Sequence, residues 1–189
     1  MTTYVALLRG INVGGHNRVA MADLRAVVSS LGHTDVATYI QSGNLVFTSA
    51  VPTGAGEVGA ALERAIASTL GVQPRVVVLT CDELAQVVAA NPYPEEADPK
   101  RLHAVFRMDQ VGGDEAGAVA AAVERAAAKG SRDEAQLVGR TLYLRTPDGL
   151  GRSVLAAELG RAGSALDARL ATTVRNWATV CRLLAMCGR

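Results

Sequence analysis

The sequence predicts an α+β protein in two lobes, each a sheet covered by helices. Short apolar runs of strand length alternate with stretches whose apolar residues recur at helical spacing. The element order of the first half returns, more loosely, in the second. A polar, proline-rich segment, residues 91–99 (NPYPEEADP), stands between the halves. Of the 189 residues, 49% are hydrophobic, enough for one large core or two smaller ones.

Tyr4 to Leu8 (YVALL) is a short apolar run and reads as a strand ending at Arg9-Gly10. Residues 12–17 (NVGGHN) follow as a glycine-punctuated loop. Met21, Leu24, Val27, Val28 and Leu31 then recur at helical spacing, closed by Gly32. Val36–Gln41 and Leu45–Thr48 are strand-like, and Ser42-Gly43-Asn44 between them is hairpin chemistry. Val58, Leu62, Ala65, Ile66 and Leu70 make a helical face ended by Gly71, and Arg75–Thr80 (RVVVLT) reads as a strand buried on both faces. The order βαββαβ over residues 1–80 is the split-βαβ, ferredoxin-like pattern.

In residues 81–189, Asp82 is placed to cap a helix over Glu83–Ala90. Leu102–Met108 reads as a strand and Glu115–Ala128 as a helix. Glu134–Val138 and Thr141–Thr146 form a hairpin turning at Gly139-Arg140, and Val154–Leu159 is a short helix. Val174, Trp177, Cys181 and Leu184 mark one face of a last helix, with Thr172 or Thr173 as its N-cap. The second half therefore reads βαββα. The expected architecture is two ferredoxin-like, βαββαβ-type subdomains packed together, 1–80 and 81–189, with an added C-terminal helix.

Composition narrows the function. Net charge is +1, against a dedicated polyanion binder, and aromatic residues are 4%, leaving few rings for bases to stack on. Cys81, Cys181 and Cys187 have no metal-ligand spacing and are odd in number, so they read as free thiols in a reducing, cytoplasmic compartment. No apolar stretch approaches membrane-spanning length, which argues against a membrane location, and the first residues, an apolar run without a basic leader or cleavage site, read as a strand. No metal, nucleotide or flavin cofactor is indicated.

The most informative local feature is residues 9–18 (RGINVGGHNR). A glycine-rich loop straight after a strand exposes backbone N–H groups, which can cradle phosphate or carboxylate. Arg9, Arg18 and His16 add positive character, and Asn12 and Asn17 add neutral donors. No Lys-Ser/Thr pair follows, so this is no P-loop, and the glycine spacing is not that of a dinucleotide site. The competing reading is a turn that lets backbone pass close to another strand. Ser42 and Asn44 border the next turn, where Gly and Asn are needed for backbone reasons alone. Arg175 and Asn176 fall in the first turn of the last helix, where an anion would be favoured, but a carboxylate of the protein itself, holding in place a helix that Trp177 anchors to the core, is the slightly favoured reading. His33 is expected to be solvated and His103 structural, and no histidine has an acid or thiol beside it that suggests a triad.

Residues 6–15 (ALLRGINVGG) with Asn17 and Met21, residues 38–44 (TYIQSGN), Asn91-Pro92-Tyr93, Leu142-Tyr143-Leu144 and residues 172–179 (TTVRNWAT) resemble the bacterial proteins catalogued as domain of unknown function 1697. The resemblance runs over nearly the whole chain. It implies paired ferredoxin-like subdomains and carries no activity, cofactor or partner with it.

The leading functional expectation is a site for a small polar or anionic molecule near the lobe interface, with or without catalysis. It is built from Arg9, Gly10, Asn12, Gly14, Gly15, Asn17, Ser42, Asn44, Arg175 and Asn176. Any catalysis would rest on stabilising an anionic or oxyanionic group rather than on covalent chemistry. The alternative is a non-enzymatic interaction or assembly module. RNA binding ranks last, since only Tyr39 and Phe47 lie near the required strand positions.

Overall fold

The computed structural model describes residues 1–14, 17–50, 54–107, 114–161 and 172–188. Among them the chain forms two compact units, Met1–Gln86 with Arg182–Arg189, and Val87–Cys181. The fold is α+β, with two four-stranded antiparallel sheets and six α-helices among the described residues.

The first unit opens with β1 (Thr2–Arg9), α1 (Met21–Ser30), β2 (Thr34–Tyr39) and β3 (Asn44–Ser49). It continues with α2 (Ala55–Leu70), β4 (Arg75–Thr80) and the start of α3 (Cys81–Ala89). Its strands lie in the order β2-β3-β1-β4. Along β1, Tyr4, Ala6 and Leu8 join Phe47, Leu62, Ile66 and Val28 in one core, while Val5 and Leu7 on the opposite side are also fully buried. A strand buried on both sides has no polar alternation to show, which is why β1 reads as an unbroken apolar run.

The strand and helix that meet at residue 80 are joined by reciprocal capping. Glu83 N donates to Thr80 Oγ1 at 3.1 Å, and Thr80 N donates to Glu83 Oε2 at 2.7 Å. This capping box, with Thr80 as the cap, takes the place expected of Asp82 and starts the helix two residues early.

The second unit carries β5 (Leu102–Arg107), α4 (Glu115–Ala127), β6 (Glu134–Val138), β7 (Thr141–Arg145), α5 (Val154–Leu159) and β8 (Thr172–Asn176). Then comes α6 (Trp177–Met186), whose last turns count with the first unit. The sheet order is β6-β7-β5-β8, and Val105, Val119, Ala122, Leu142, Leu144 and Leu155 fill the core on its helix side. β8 corrects the sequence reading. Thr172 and Thr173 do not cap a helix; with Val174 they pair with Arg107, Phe106 and Val105 in antiparallel register. Asn176 is the true cap, its Oδ1 accepting Thr179 N at 2.9 Å. The buried face of α6 follows Val180 and Leu183, and Cys181 is exposed.

Three further expectations change. Cys81 and Cys187 are not free thiols: they form a disulfide across a sequence separation of 106. The inference of a reducing compartment, which rested on unpaired cysteines, loses its footing. His33 is not simply solvated. It is half-buried and stacks on Phe47 with ring centroids 4.7 Å apart, and burial lowers its pKa. Asn44 is not a turn residue. It begins β3 and is fully buried, and the β2–β3 loop is residues 40–43. Among the described residues no helix is long and apolar enough to cross a membrane.

Candidate functional site

Two loops of the first unit, residues 10–14 and 17–20 after β1 and 40–43 between β2 and β3, are fastened together by one side chain. Asn12 Nδ2 donates to Val19 O and to Gln41 O, both at 3.0 Å, and Asn12 Oδ1 accepts Val19 N at 2.9 Å. The amide closes its own loop with two of these bonds and reaches the neighbouring one with the third. Asn12 N donates to Asn17 O at 3.1 Å, and Asn17 Nδ2 donates to Gly10 O at 2.8 Å.

A second fastening is steric. Leu8 N donates to Gly43 O at 2.8 Å, and Gly43 lies so close to β1 that a Cβ there would meet Leu8 Cβ at 2.7 Å and Ile11 Cδ1 at 2.9 Å. Asn44, the first residue of β3, braces the turn before it, donating to Tyr39 O at 3.1 Å and to Ser42 Oγ at 2.8 Å.

The backbone of this pair of loops is left-handed at Gly10, Asn12, Gly14, Asn17, Ile40 and Gly43. Glycine and asparagine accept positive φ at little cost; a β-branched residue such as Ile40, with φ +47°, does not. Ser42, Asn17, Arg18 and Gly14 are exposed and Arg9 is half-buried. The rim therefore presents a hydroxyl, a solvent-facing cation and tightly turned backbone.

The structure brings together Arg9, Gly10, Asn12, Gly14, Asn17, Ser42 and Asn44 in the first unit; Gly15 and His16 lie outside the described residues. Arg175 and Asn176 belong to the second unit and do not open a helix turn toward an anion. Arg175 is in β8 opposite Ala104, and its Nη1 donates to Thr173 Oγ1 at 2.6 Å and Val174 O at 2.9 Å. Desolvation there pulls its pKa down to about 10. Asn176 is committed to capping α6.

The sequence reading missed a polar network in the second unit. Arg145 Nε pairs with Glu96 Oε2 at 2.8 Å and its Nη1 with Glu134 Oε1 at 2.6 Å, pinning the proline-rich segment to the β6–β7 hairpin. Burial, with the Glu134 charge adding to it against Arg145, pushes Tyr93 up to about 12. Tyr143 OH donates to Val87 O at 2.7 Å. Each of these groups ties one segment to another, so the network reads as structural. The signal available in sequence was two Tyr-bearing motifs at a distance, which only folding connects. Elsewhere in this unit His103 is buried in β5, its pKa lowered by desolvation and its Nδ1 without a partner among the described residues. No group of three His, Cys, Asp or Glu able to hold a metal occurs among the described residues.

No curated protein matches the chain. Among solved structures, a conserved bacterial protein from Streptococcus pneumoniae shares the fold, with TM-score 0.72 and 23% identity over 98% of each chain. Residues 1–143 match the family described as "Protein of unknown function (DUF1697)", and the chain belongs to that family.

Proposed function

We propose that the protein binds a small polar or anionic molecule at the rim formed by residues 9–14, 17–18 and 40–44 of the first unit. The observation that carries this reading is the convergence of the two loops under the Asn12 amide, with six left-handed residues between them. A loop that only reverses the chain needs one or two such residues. Two loops locked together at this density form a preorganised rim, the kind of rigid setting a ligand uses without paying to order it. Arg9 and Arg18 give the rim its positive character. Arg175 and Asn176 are not needed for the proposal.

The βαββαβ order of each unit, with strand orders β2-β3-β1-β4 and β6-β7-β5-β8, supports a ferredoxin-like reading of both. That scaffold hosts unrelated functions, so the assignment rests on the rim alone.

The test is a thermal-shift screen of wild type and Arg9→Ala against nucleotides, sugar phosphates and carboxylic acids. A ligand at a hundred times its Kd stabilises by about 2.7 kcal/mol. A hit lost in Arg9→Ala supports the proposal; a hit unchanged there, or no hit, refutes it.

A further inference from the structure

Within the proposed rim, the backbone explains every left-handed residue but one. Gly10, Gly14 and Gly43 have no side chain to clash, and Asn12 and Asn17 belong to the residue type that best tolerates positive φ. Ile40 is β-branched, sits at φ +47° and leaves 53% of its surface in solvent. The left-handed conformation disfavours it, and so much exposure forgoes most of the burial that would compensate. A turn selected only for its shape would carry Gly or Asn there.

Val13 is the companion. It follows Asn12, is 69% exposed, and is one of only four large apolar side chains exposed among the described residues; Ile40 is another. Ile40 precedes Gln41, and Asn12 donates to Gln41 O, so the same hydrogen bond that locks the loops holds the two apolar side chains in neighbouring segments. Arg18 in this rim is exposed and has no ion pair among the described residues. Residues held in strained backbone cluster at active sites and ligand clamps.

From this combination of exposed apolar side chains and a solvent-exposed cation, we infer that the rim takes an amphipathic anion, a carboxylate or phosphate carrying an alkyl chain. Ile40 and Val13 form the apolar contact. The inference rests on the proposed anion site and adds the second half of the ligand. The charged head lies by Arg9, Arg18 and the loop backbone, and the chain lies over Ile40 and Val13.

The experiment measures affinity along two homologous series, acetate to octanoate and inorganic phosphate to octyl phosphate, for wild type, Ile40→Asn and Val13→Ser. Affinity for wild type should rise with each methylene, by up to about fourfold where the added group is fully buried. Ile40→Asn should bind the shortest anions as wild type does but lose most of the chain-length dependence. Its Tm should rise, because asparagine suits the backbone that isoleucine strains. Equal dependence on chain length in wild type and variants would overturn the inference. So would a fall in Tm for Ile40→Asn, which would show that the protein itself holds the side chain. Failure of every anion to bind, acetate and inorganic phosphate included, would remove the proposed site; binding that ignores chain length would remove only its apolar half.

Discussion

Replacing Gly43 by alanine tests the closest approach in the first unit. The added Cβ would stand 2.7 Å from Leu8 Cβ and 2.9 Å from Ile11 Cδ1, at a residue with φ +72°. Ile11 can turn its terminal methyl aside, but the Leu8 Cβ is fixed to β1, so relief must come from moving the loop. Moving it lengthens the 2.8 Å bond from Leu8 N to Gly43 O. Left-handed strain costs about 1–2 kcal/mol, and overpacking a tight contact about 1–3 kcal/mol. Together they cost about 2–5 kcal/mol, or a Tm lower by roughly 5–15 °C for a chain of this size. Gly32→Ala is the control, because it has φ +85° and open space around the added carbon, so it carries the strain without the clash. Calorimetry is the assay, since Trp177 lies in the second unit and its fluorescence reports on the wrong sheet. If Gly43→Ala loses no more stability than Gly32→Ala, the loops are not held in contact as described.

Asn12→Asp keeps the acceptor for Val19 N but sets a carboxylate oxygen against the carbonyls of Val19 and Gln41, so it should cost about 2–3 kcal/mol at neutral pH. Part of that loss should return on acidification, when the acid can donate, as urea titrations at two pH values would show. Glu158 accepts from Lys129, Arg125 and Arg161, and those contacts, Lys129 first, bring its pKa down from 4.5 to about 2. A carboxylate with a lowered folded pKa contributes fully above 4.5 and loses its contribution as pH falls toward 2. Glu158→Gln should therefore be less stable than wild type near neutrality and converge with it over that window. Alkylation of the unreduced, unfolded chain should label one cysteine, Cys181, and all three after reduction; three labels without reduction would refute the bond between Cys81 and Cys187.

The element order through residue 80 was legible because each strand of the first unit is a short apolar run and each helix carries a clear stripe. β8 was not. Thr172-Thr173-Val174 has the β-branched content of a strand, but Trp177 and Cys181 continue its apolar residues at helical spacing and draw the reading into one long helix. The switch is marked only by Asn176, which looks like a ligand donor until its cap bond to Thr179 is seen. The site was half legible for a related reason. Asn12, Asn17 and Asn44 signal hydrogen bonding, and the sequence cannot say whether amides serve a ligand or the chain. They serve the chain, Asn12 reaching Gln41 across 29 residues. Thr80 and Glu83 were a readable cap that Asp82 obscured.

The disulfide gives the molecule an unusual covalent topology. The chain leaves the first unit after Gln86 and returns to it at Arg182, and the bond from Cys187 to Cys81 closes a ring through the whole second unit. A single protease cut anywhere between those cysteines opens the ring without dividing the molecule. Both fragments would migrate as one species until a reductant is added, so damage to the second unit would pass unseen on a non-reducing gel.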